Sequence, residues 1–199
     1  MAFLYLDTTN ELILGILDKK FEWLAYTEIK ERKSSELIHS MIEKMLGNCS
    51  LEIEELTHLF LASGPGSYTG MRLAEGIAQV LEWRQVKVFG FYHFEVPQIL
   101  GIDSGRFLAG AYKKEIFQYS WEAQENSWSL IKEQKLGSSN CYFNADSELW
   151  GKELSLKTSQ MIKNNAPIFF KYIAERGVRG KPFYYRELEQ EFTVSQPLK

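Results

Sequence analysis

A short stretch with the sequence SGPGSYTGMR concentrates glycines and hydroxyl side chains between an apolar run and a segment with helical spacing. Glycines permit close backbone approach, and the free amides at a helix N-terminus can bind an anion. Phosphate binding is therefore the chemistry that this loop could perform, with Ser67 or Thr69 capping the helix. The candidate phosphate-binding residues of the loop are Gly64, Gly66, Ser67, Thr69 and Gly70.

Three known phosphate or nucleophile motifs do not fit this loop. Its spacing is GxGxxxG, one residue longer than the dinucleotide fingerprint, and no acidic ribose ligand follows about 20 residues on. No Lys-Ser/Thr pair follows Gly70, as a Walker A loop requires. Ser67 lies outside a GxSxG elbow because Pro65 and Thr69 occupy the glycine positions. Two interpretations stay open, a rigid strand-to-helix turn and an anion site.

A carboxylate and two hydroxyls, Asp7, Thr8 and Thr9, follow the first apolar run. A carboxylate at a strand end can hold a hydrated metal and a nucleotide phosphate. The alternative is a turn stabilised by side-chain hydrogen bonds to the backbone.

The sequence shows no set of residues that could catalyse a reaction without a partner protein. The three histidines, His39, His58 and His93, form no HxxxH or HExxH pair, so no metal site is predicted. No serine or cysteine nucleophile has a paired histidine and acid in the sequence. We therefore expect no catalytic residues and no cofactor of the chain's own.

Composition places the chain among cytoplasmic globular proteins. The 199 residues carry a net charge of −3, and 45% of them are hydrophobic. No run approaches the roughly 20 apolar residues of a membrane span, and the N-terminus lacks the basic region of a secretory signal. Cys49 and Cys141 are expected to be reduced thiols. The acidic balance disfavours tight binding of a nucleic acid by this chain alone.

Apolar patterning predicts two lobes, at residues 1–102 and 103–199. The first follows a β-β-β-α-β-α-β order, which suits a mixed sheet covered by helices. The second repeats three strands and then carries two helices. We predict strands at residues 2–7, 11–17, 21–29, 57–62, 86–91, 106–112, 115–121 and 127–134, and helices from Ser34 or Ser35 to Leu46 and at 68–84, 159–164 and 168–176.

Two predicted helices of the first lobe carry more apolar surface than one buried stripe needs. Their apolar arcs cover roughly 180° and 220°, against the about 100° of a surface helix. Each helix could bury one face on its own sheet and offer the other to a partner, or both faces could be covered within the monomer. The candidate interface residues are Leu37, Ile38, Met41, Met45, Met71, Ala74, Ile77, Ala78 and Leu81.

Four motifs together resemble the TsaB family, also called YeaZ. The Asp7-Thr8-Thr9 sequence is similar to the family's Asp-Thr-Ser motif, and Ser34-Ser35-Glu36 to its His-Ser-Glu. The stretch from Gly64 to Arg72 resembles GPGSFTGxR, the most specific of the four. Residues 182–186, with the sequence PFYYR, resemble Pro-x-Tyr-Leu-Arg near the family's C-terminus.

This resemblance implies an α/β, actin-like (ASKHA, ribonuclease H-like) two-lobed fold. It also implies a non-catalytic partner of TsaD, the metal-dependent subunit that transfers threonylcarbamoyl to adenosine 37 of ANN-decoding tRNAs. The ATPase TsaE would join them in a ternary complex, with ATP or ADP allowed at the complex interface and tRNA contacted indirectly. The two first-lobe helices would pair with TsaD or with a second copy of the chain.

Some positions depart from the family pattern. The family's Asp-Ala-Arg motif aligns with Gly110-Ala111-Tyr112, which lacks the Asp and the Arg, and Glu75 occupies a usually apolar position. The alternative function is a small actin-like ATP-dependent phosphotransferase that uses Asp7 and the glycine loop.

Overall fold

The structure, a computed structural model, contains two five-stranded mixed sheets. It describes residues 1–29, 38–111, 115–122, 125–132, 141–143 and 155–185. Within these residues, no helix has the length and apolar character needed to cross a membrane.

The first sheet has the strand order β3-β2-β1-β4-β5. An antiparallel meander of β1, β2 and β3 continues into parallel β4 and β5. Its strands are β1 (Ala2–Asp7), β2 (Leu12–Leu17), β3 (Trp23–Ile29), β4 (Leu56–Ala62) and β5 (Lys87–Phe91).

The second sheet has the order β10-β9-β6-β7-β8. Here β6, β7 and β8 form an antiparallel meander, and β9 pairs in parallel with β6 and with β10. Its strands are β6 (Ser104–Gly110), β7 (Glu115–Glu122), β8 (Glu125–Lys132), β9 (Cys141–Phe143) and β10 (Ser155–Lys157).

Helices cover both faces of the first sheet, so its central strands are buried along their whole length. One face packs on α1 and α2, and the other on α4 and α5. The helices are α1 (Ile38–Asn48), α2 (Tyr68–Trp83), α3 (Val96–Ile99), α4 (Thr158–Asn164) and α5 (Ala166–Arg176).

Local signals set the ends of several elements. The Asp18 carboxylate accepts hydrogen bonds from the amides of Lys20 and Glu22 and so closes the β2–β3 hairpin. Ser67 caps α2 by accepting from the Gly70 amide, as one of the two predicted caps. Gly177 ends α5 in the left-handed conformation.

The predicted elements agree with the structure within a few residues at most ends. The first strand and the start of α2 match the prediction, whereas α1 continues two residues beyond the predicted end at Leu46. The predicted start of that helix at Ser34 or Ser35 lies outside the described residues. The strand predicted at 106–112 is Ser104–Gly110, because the alternating pattern does not fix where pairing with β7 begins.

Helix α5 comes late in the chain but packs on the first sheet. The Phe170 ring lies 4.8 Å from that of Phe60 and 5.3 Å from that of Tyr5, measured between ring centroids. Phe169 and Ile173 are fully buried in the same cluster. Part of the predicted second lobe, residues 103–199, therefore completes the core of the first. The division between residues 102 and 103 itself stays a prediction.

We expect Phe170→Ala to lower the free energy of unfolding by about 3–5 kcal/mol, because it opens a cavity in the core that joins α5 to the first sheet. Ile168→Ala, at an exposed position of the same helix, is the matched control and should change it by less than about 0.5 kcal/mol. Urea unfolding of both variants measures the difference. Equal effects would contradict the packing of α5 described above.

Candidate functional site

The carboxyl ends of β1, β4 and β5 meet at one edge of the first sheet. These three strands run parallel, so Asp7 at the end of β1, Ser63 just after β4 and His93 two residues after β5 lie at the same edge. In open α/β sheets this edge is the usual place for a ligand. Here it holds side chains of the protein itself.

Asp7 lies at the centre of this edge and only 2% of its surface is exposed. One carboxylate oxygen, Oδ1, accepts hydrogen bonds from the Thr9 amide at 2.9 Å and the Thr9 hydroxyl at 2.7 Å. The other, Oδ2, accepts from the Tyr5 hydroxyl at 3.3 Å and lies 3.0 Å from His93 Nε2. Both carboxylate oxygens therefore already have protein partners.

His93 connects this carboxylate to the second sheet. Because a carboxylate only accepts hydrogen bonds, His93 Nε2 is the donor to Asp7. The other ring nitrogen, Nδ1, lies 2.9 Å from Thr158 Oγ1, and the Thr158 hydroxyl donates its proton to the Phe143 carbonyl at 3.1 Å. A continuous polar chain therefore runs from the end of β1 to the end of β9.

The pKa of the Asp7 carboxyl is lowered from its ordinary value of 3.8. Burial alone would raise this pKa, but the charge and hydrogen bond of His93 and the two hydrogen bonds from Thr9 outweigh it. Asp7 is therefore ionised in the folded protein at neutral pH.

The glycine loop packs directly on the Thr8–Thr9 turn. A Cβ at Gly66 would overlap the Thr9 carbonyl oxygen, and one at Gly70 would overlap that of Thr8. The Ser67 amide donates to the Thr9 carbonyl at 2.6 Å, so this loop amide is already used. The two glycines are thus explained by close backbone packing, which favours the rigid-turn interpretation of the loop.

Gly64, at the start of the loop, has a backbone conformation that favours glycine. Its φ is +115°, and its carbonyl accepts from the His93 amide at 2.8 Å. The loop is therefore held from two sides, by the turn after β1 and by the residue after β5.

Only some of the candidate phosphate residues face solvent. Ser67 and Thr69 are exposed and Gly66 and Gly70 partly so, whereas Asp7, Thr8, Thr9 and Gly64 are buried. Among the described residues, no group of three or more His, Cys, Asp or Glu could hold a metal ion. Nucleotide binding at these residues stays a prediction.

A second polar bridge joins the two sheets beside the first. The Lys157 ammonium on β10 lies 2.7 Å from Glu11 and 2.9 Å from Glu28, and all three side chains are largely buried. Burial, followed by the neighbouring Glu28, raises the pKa of Glu11. The pKa of Lys157 is also raised, because its hydrogen bonds to the two carboxylates outweigh the opposing effect of burial. These two ion pairs can form only while the two sheets are packed together.

The candidate interface residues on α1 and α2 are mostly covered within the monomer, which is one of the two alternatives that the sequence leaves open. All of those described except Met41 are buried in the chain's own core, because α1 and α2 turn their apolar arcs toward the first sheet. Met41 is partly buried, and Leu37 lies outside the described residues. The buried candidates are Ile38, Met45, Met71, Ala74, Ile77, Ala78 and Leu81.

A different side of α2 is exposed. Val80 and Trp83 expose 51% and 81% of their surfaces, and a Cβ at the exposed Gly76 would meet no atom within 4 Å. A small apolar groove of about 80 Å³ lies between α1 and α2 and is lined by Ile42, Ile77 and Val80, among others. The exposed apolar surface of these helices is therefore this groove and the side of α2 beyond it.

Sequence reasoning missed His93, Thr158 and Lys157. His93 lies two residues after the strand predicted at 86–91, so the convergence of strand ends offered a signal for it. No local pattern marks the contact of Thr158 with His93 or of Lys157 with Glu11, whose partners are 65 and 146 residues away in the chain.

Comparison with known proteins agrees with the resemblance in sequence. Residues 27–96 match the sequence model of the family TsaD, tRNA N6-adenosine threonylcarbamoyltransferase. The tRNA threonylcarbamoyladenosine biosynthesis protein TsaB of Haemophilus influenzae is 35% identical over 81 residues, which are 41% of this chain and 34% of that protein. TsaB of Bacillus subtilis is 31% identical over 85 residues, which are 42% of this chain and 37% of that protein. The matched region is thus little more than a third of each relative.

Solved structures resemble nearly the whole chain. YeaZ from Pseudomonas aeruginosa has a TM-score of 0.64 at 17% identity and covers 92% of this chain and 99% of its own. A second P. aeruginosa structure, described as a protein similar to the peptidase YeaZ, has a TM-score of 0.67 at 16% identity, with 93% and 99% coverage. At these identities the likeness shows the fold. The resemblance to TsaB (YeaZ) proteins and the predicted α/β fold with mixed sheets and covering helices are confirmed.

We expect Gly70→Ala to destabilise the protein by about 1–3 kcal/mol, because the new methyl group must displace the backbone of Thr8. Gly76→Ala is the matched control in the same helix and should stabilise the protein by up to about 1 kcal/mol, since its site is open and alanine favours the helix. Thermal unfolding measures both. A neutral Gly70→Ala would show that the loop does not pack on the turn as described.

The lowered pKa of Asp7 predicts a pH-dependent contribution to stability. Its folded-state pKa lies below the unfolded value, so the contribution is complete above that value and is lost as the pH falls through the folded pKa. We expect Asp7→Asn to be less stable than the wild type at neutral pH, with a gap that narrows below about pH 4. Urea unfolding from pH 7 to pH 3 measures the gap. A gap that stays constant with pH would contradict the ionised Asp7.

Proposed function

We propose that this chain is a non-catalytic partner of a TsaD-type protein in the threonylcarbamoylation of adenosine 37 of ANN-decoding tRNAs. It acts as a scaffold or activator through the exposed surface of α1 and α2, and a TsaE-type ATPase joins the pair in a ternary complex. The observation that carries the proposal is the exposed apolar side of α2 in a chain similar to TsaB proteins.

The exposed surface has the composition of a protein interface. Large aromatic side chains such as Trp83 supply much of the binding energy in complexes when a partner removes them from water. Val80 borders the groove between the helices, and Gly76 allows a partner helix to approach closely. The same side of α2 could pair with a second copy of the chain, which makes a homodimer the competing assembly in solution.

The buried edge of the first sheet supports a role without catalysis. The Asp7 carboxylate is engaged by Tyr5, Thr9 and His93, and the glycine loop lies on the turn that follows it. The exposed Ser67 and Thr69 are the residues through which the chain would contact ATP or ADP at the interface of a complex. No cofactor of its own is proposed, and tRNA is contacted indirectly, in the cytoplasm, through the complex.

The alternative, a small actin-like ATP-dependent phosphotransferase, requires Asp7 to reach a nucleotide and its metal. Its two carboxylate oxygens already have four protein donors, which counts against that role. ATP turnover by the isolated chain that disappears in Asp7→Ala would favour this alternative.

We expect the chain to form a one-to-one complex with the TsaD-type protein of the same organism. Val80→Asp and Trp83→Ala should each weaken it at least tenfold, or about 1.4 kcal/mol, through an unpaired buried charge or a lost aromatic contact. Light scattering after size-exclusion chromatography measures the stoichiometry, and titration calorimetry measures the affinity.

Ile168→Asp provides the matched control for this prediction. Ile168 is an exposed apolar residue on α5, which packs on the opposite face of the first sheet from α2. The variant should leave the affinity unchanged. If the chain does not bind the TsaD-type protein, the proposed function is refuted. If Val80→Asp and Ile168→Asp reduce the affinity equally, the proposed surface is refuted.

A further inference from the structure

Residues 177–185, here called the C-terminal segment, extend along the edge of the first sheet after α5 ends. The Gly90 amide of β5 donates to the Val178 carbonyl at 2.9 Å, and the Phe183 amide donates to the Ser63 carbonyl at 2.7 Å. A Cβ at Gly90 would lie 2.5 Å from the Gly180 nitrogen, so the two backbones approach as closely as glycine permits. The segment is therefore held tightly against β5.

Arg179 extends from this segment to the polar side of α2. Its Nε donates to Glu82 at 2.7 Å, and its Nη2 donates to Glu75 at 2.7 Å. Glu75 and Glu82 are seven residues apart, which places them two turns apart on one side of the helix. A third donor, Nη1, bonds the Gly180 carbonyl at 2.8 Å and fixes the guanidinium relative to its own backbone. One side chain thus spans half the length of α2.

The other end of the segment contacts both the start of α2 and the second sheet. The Tyr184 and Tyr185 rings lie 4.8 Å and 5.5 Å from the ring of Tyr68, the first residue of α2. Phe183 lies 5.4 Å from Phe117 on β7. The segment therefore joins both ends of α2 to β5 and to the second sheet.

The inward face of α2 includes two small residues, Ala74 and Ala78. Arg179 holds the same helix from another side through its two ion pairs. Glu82, which Arg179 binds, is adjacent to Trp83 in the sequence.

We propose that Arg179 is a positioning residue for partner binding: it fixes α2 through Glu75 and Glu82, so that the exposed surface with Val80 and Trp83 is presented to the partner. The inference rests on the proposed function and adds a residue that does not touch the partner. By linkage, a partner that selects this position of α2 also stabilises the C-terminal segment.

The test measures the affinity of the full chain for the TsaD-type protein of the same organism, at a temperature where every variant is folded. Arg179→Ala should weaken binding about 5- to 10-fold, at the lower end of typical coupling between sites. Arg179→Lys should recover only part of the loss, because an ammonium cannot bridge two carboxylates as a planar guanidinium does. Arg84→Ala is the matched control, since Arg84 follows α2 and pairs with Glu54 away from the segment.

A double-mutant cycle separates positioning from a general loss of stability. In a Glu75→Gln/Glu82→Gln background, Arg179→Ala should cause little further loss, because its partners are already neutral. An unchanged affinity for Arg179→Ala, a loss equal to that of Arg84→Ala, or full additivity in the cycle would each overturn the inference. Wild-type chain that does not bind would instead refute the proposed function on which it rests.

Discussion

The buried carboxylate of Asp7 is the constraint on which the rest of the structure depends. A charge at the closed edge of a sheet is costly unless it is paired and hydrogen-bonded, and Tyr5, Thr9 and His93 supply those bonds. Thr9 can donate its hydrogen bonds to Asp7 only if the chain turns sharply after β1, and the glycine loop packs on that turn. His93 can donate to Asp7 only if β5 ends beside the carboxylate. One carboxylate thus links the ends of β1 and β5 and the turn on which the glycine loop lies.

The same network determines how the two sheets are joined. His93 continues to Thr158 and the end of β9, and Lys157 on β10 binds two carboxylates of the first sheet. Helix α5 then returns to the first sheet and completes its core. Open α/β sheets commonly bind ligands at such an edge, whereas here protein side chains contact one another there. We propose the outer side of α1 and α2 as the surface for interaction.

The strands and helices could be predicted largely because their signals are local. The apolar runs that form strands of the first sheet end at polar or glycine-rich turns, such as those at Asp18 and at the glycine loop, so these strands can be recognised from the sequence. Ser67 indicates the start of α2 in the same way. The candidate interface residues could not be assigned correctly in the same way. Periodicity shows that Ile77 and Ala78 are apolar, but whether the core or a partner covers them depends on the placement of the sheet.

Long-range polar contacts were beyond sequence reasoning for a different reason. Arg179 and Lys157 look like ordinary surface charges, because their carboxylate partners lie roughly 100 or more residues away in the chain. The Asp7 motif was visible, but a carboxylate followed by hydroxyls suits both a ligand site and a satisfied turn. Only the position of His93 distinguishes the two, and it favours the turn.

We propose that this chain assists tRNA modification without doing the chemistry itself. The most direct measurement is threonylcarbamoylation of an ANN-decoding tRNA in a reconstituted system that contains the TsaD-type and TsaE-type proteins and threonylcarbamoyl-adenylate. We expect the reaction to require this chain and to proceed with Asp7→Asn whenever that variant is folded. Modification that is indifferent to the chain, or that stops in a folded Asp7→Asn variant, would contradict the claim.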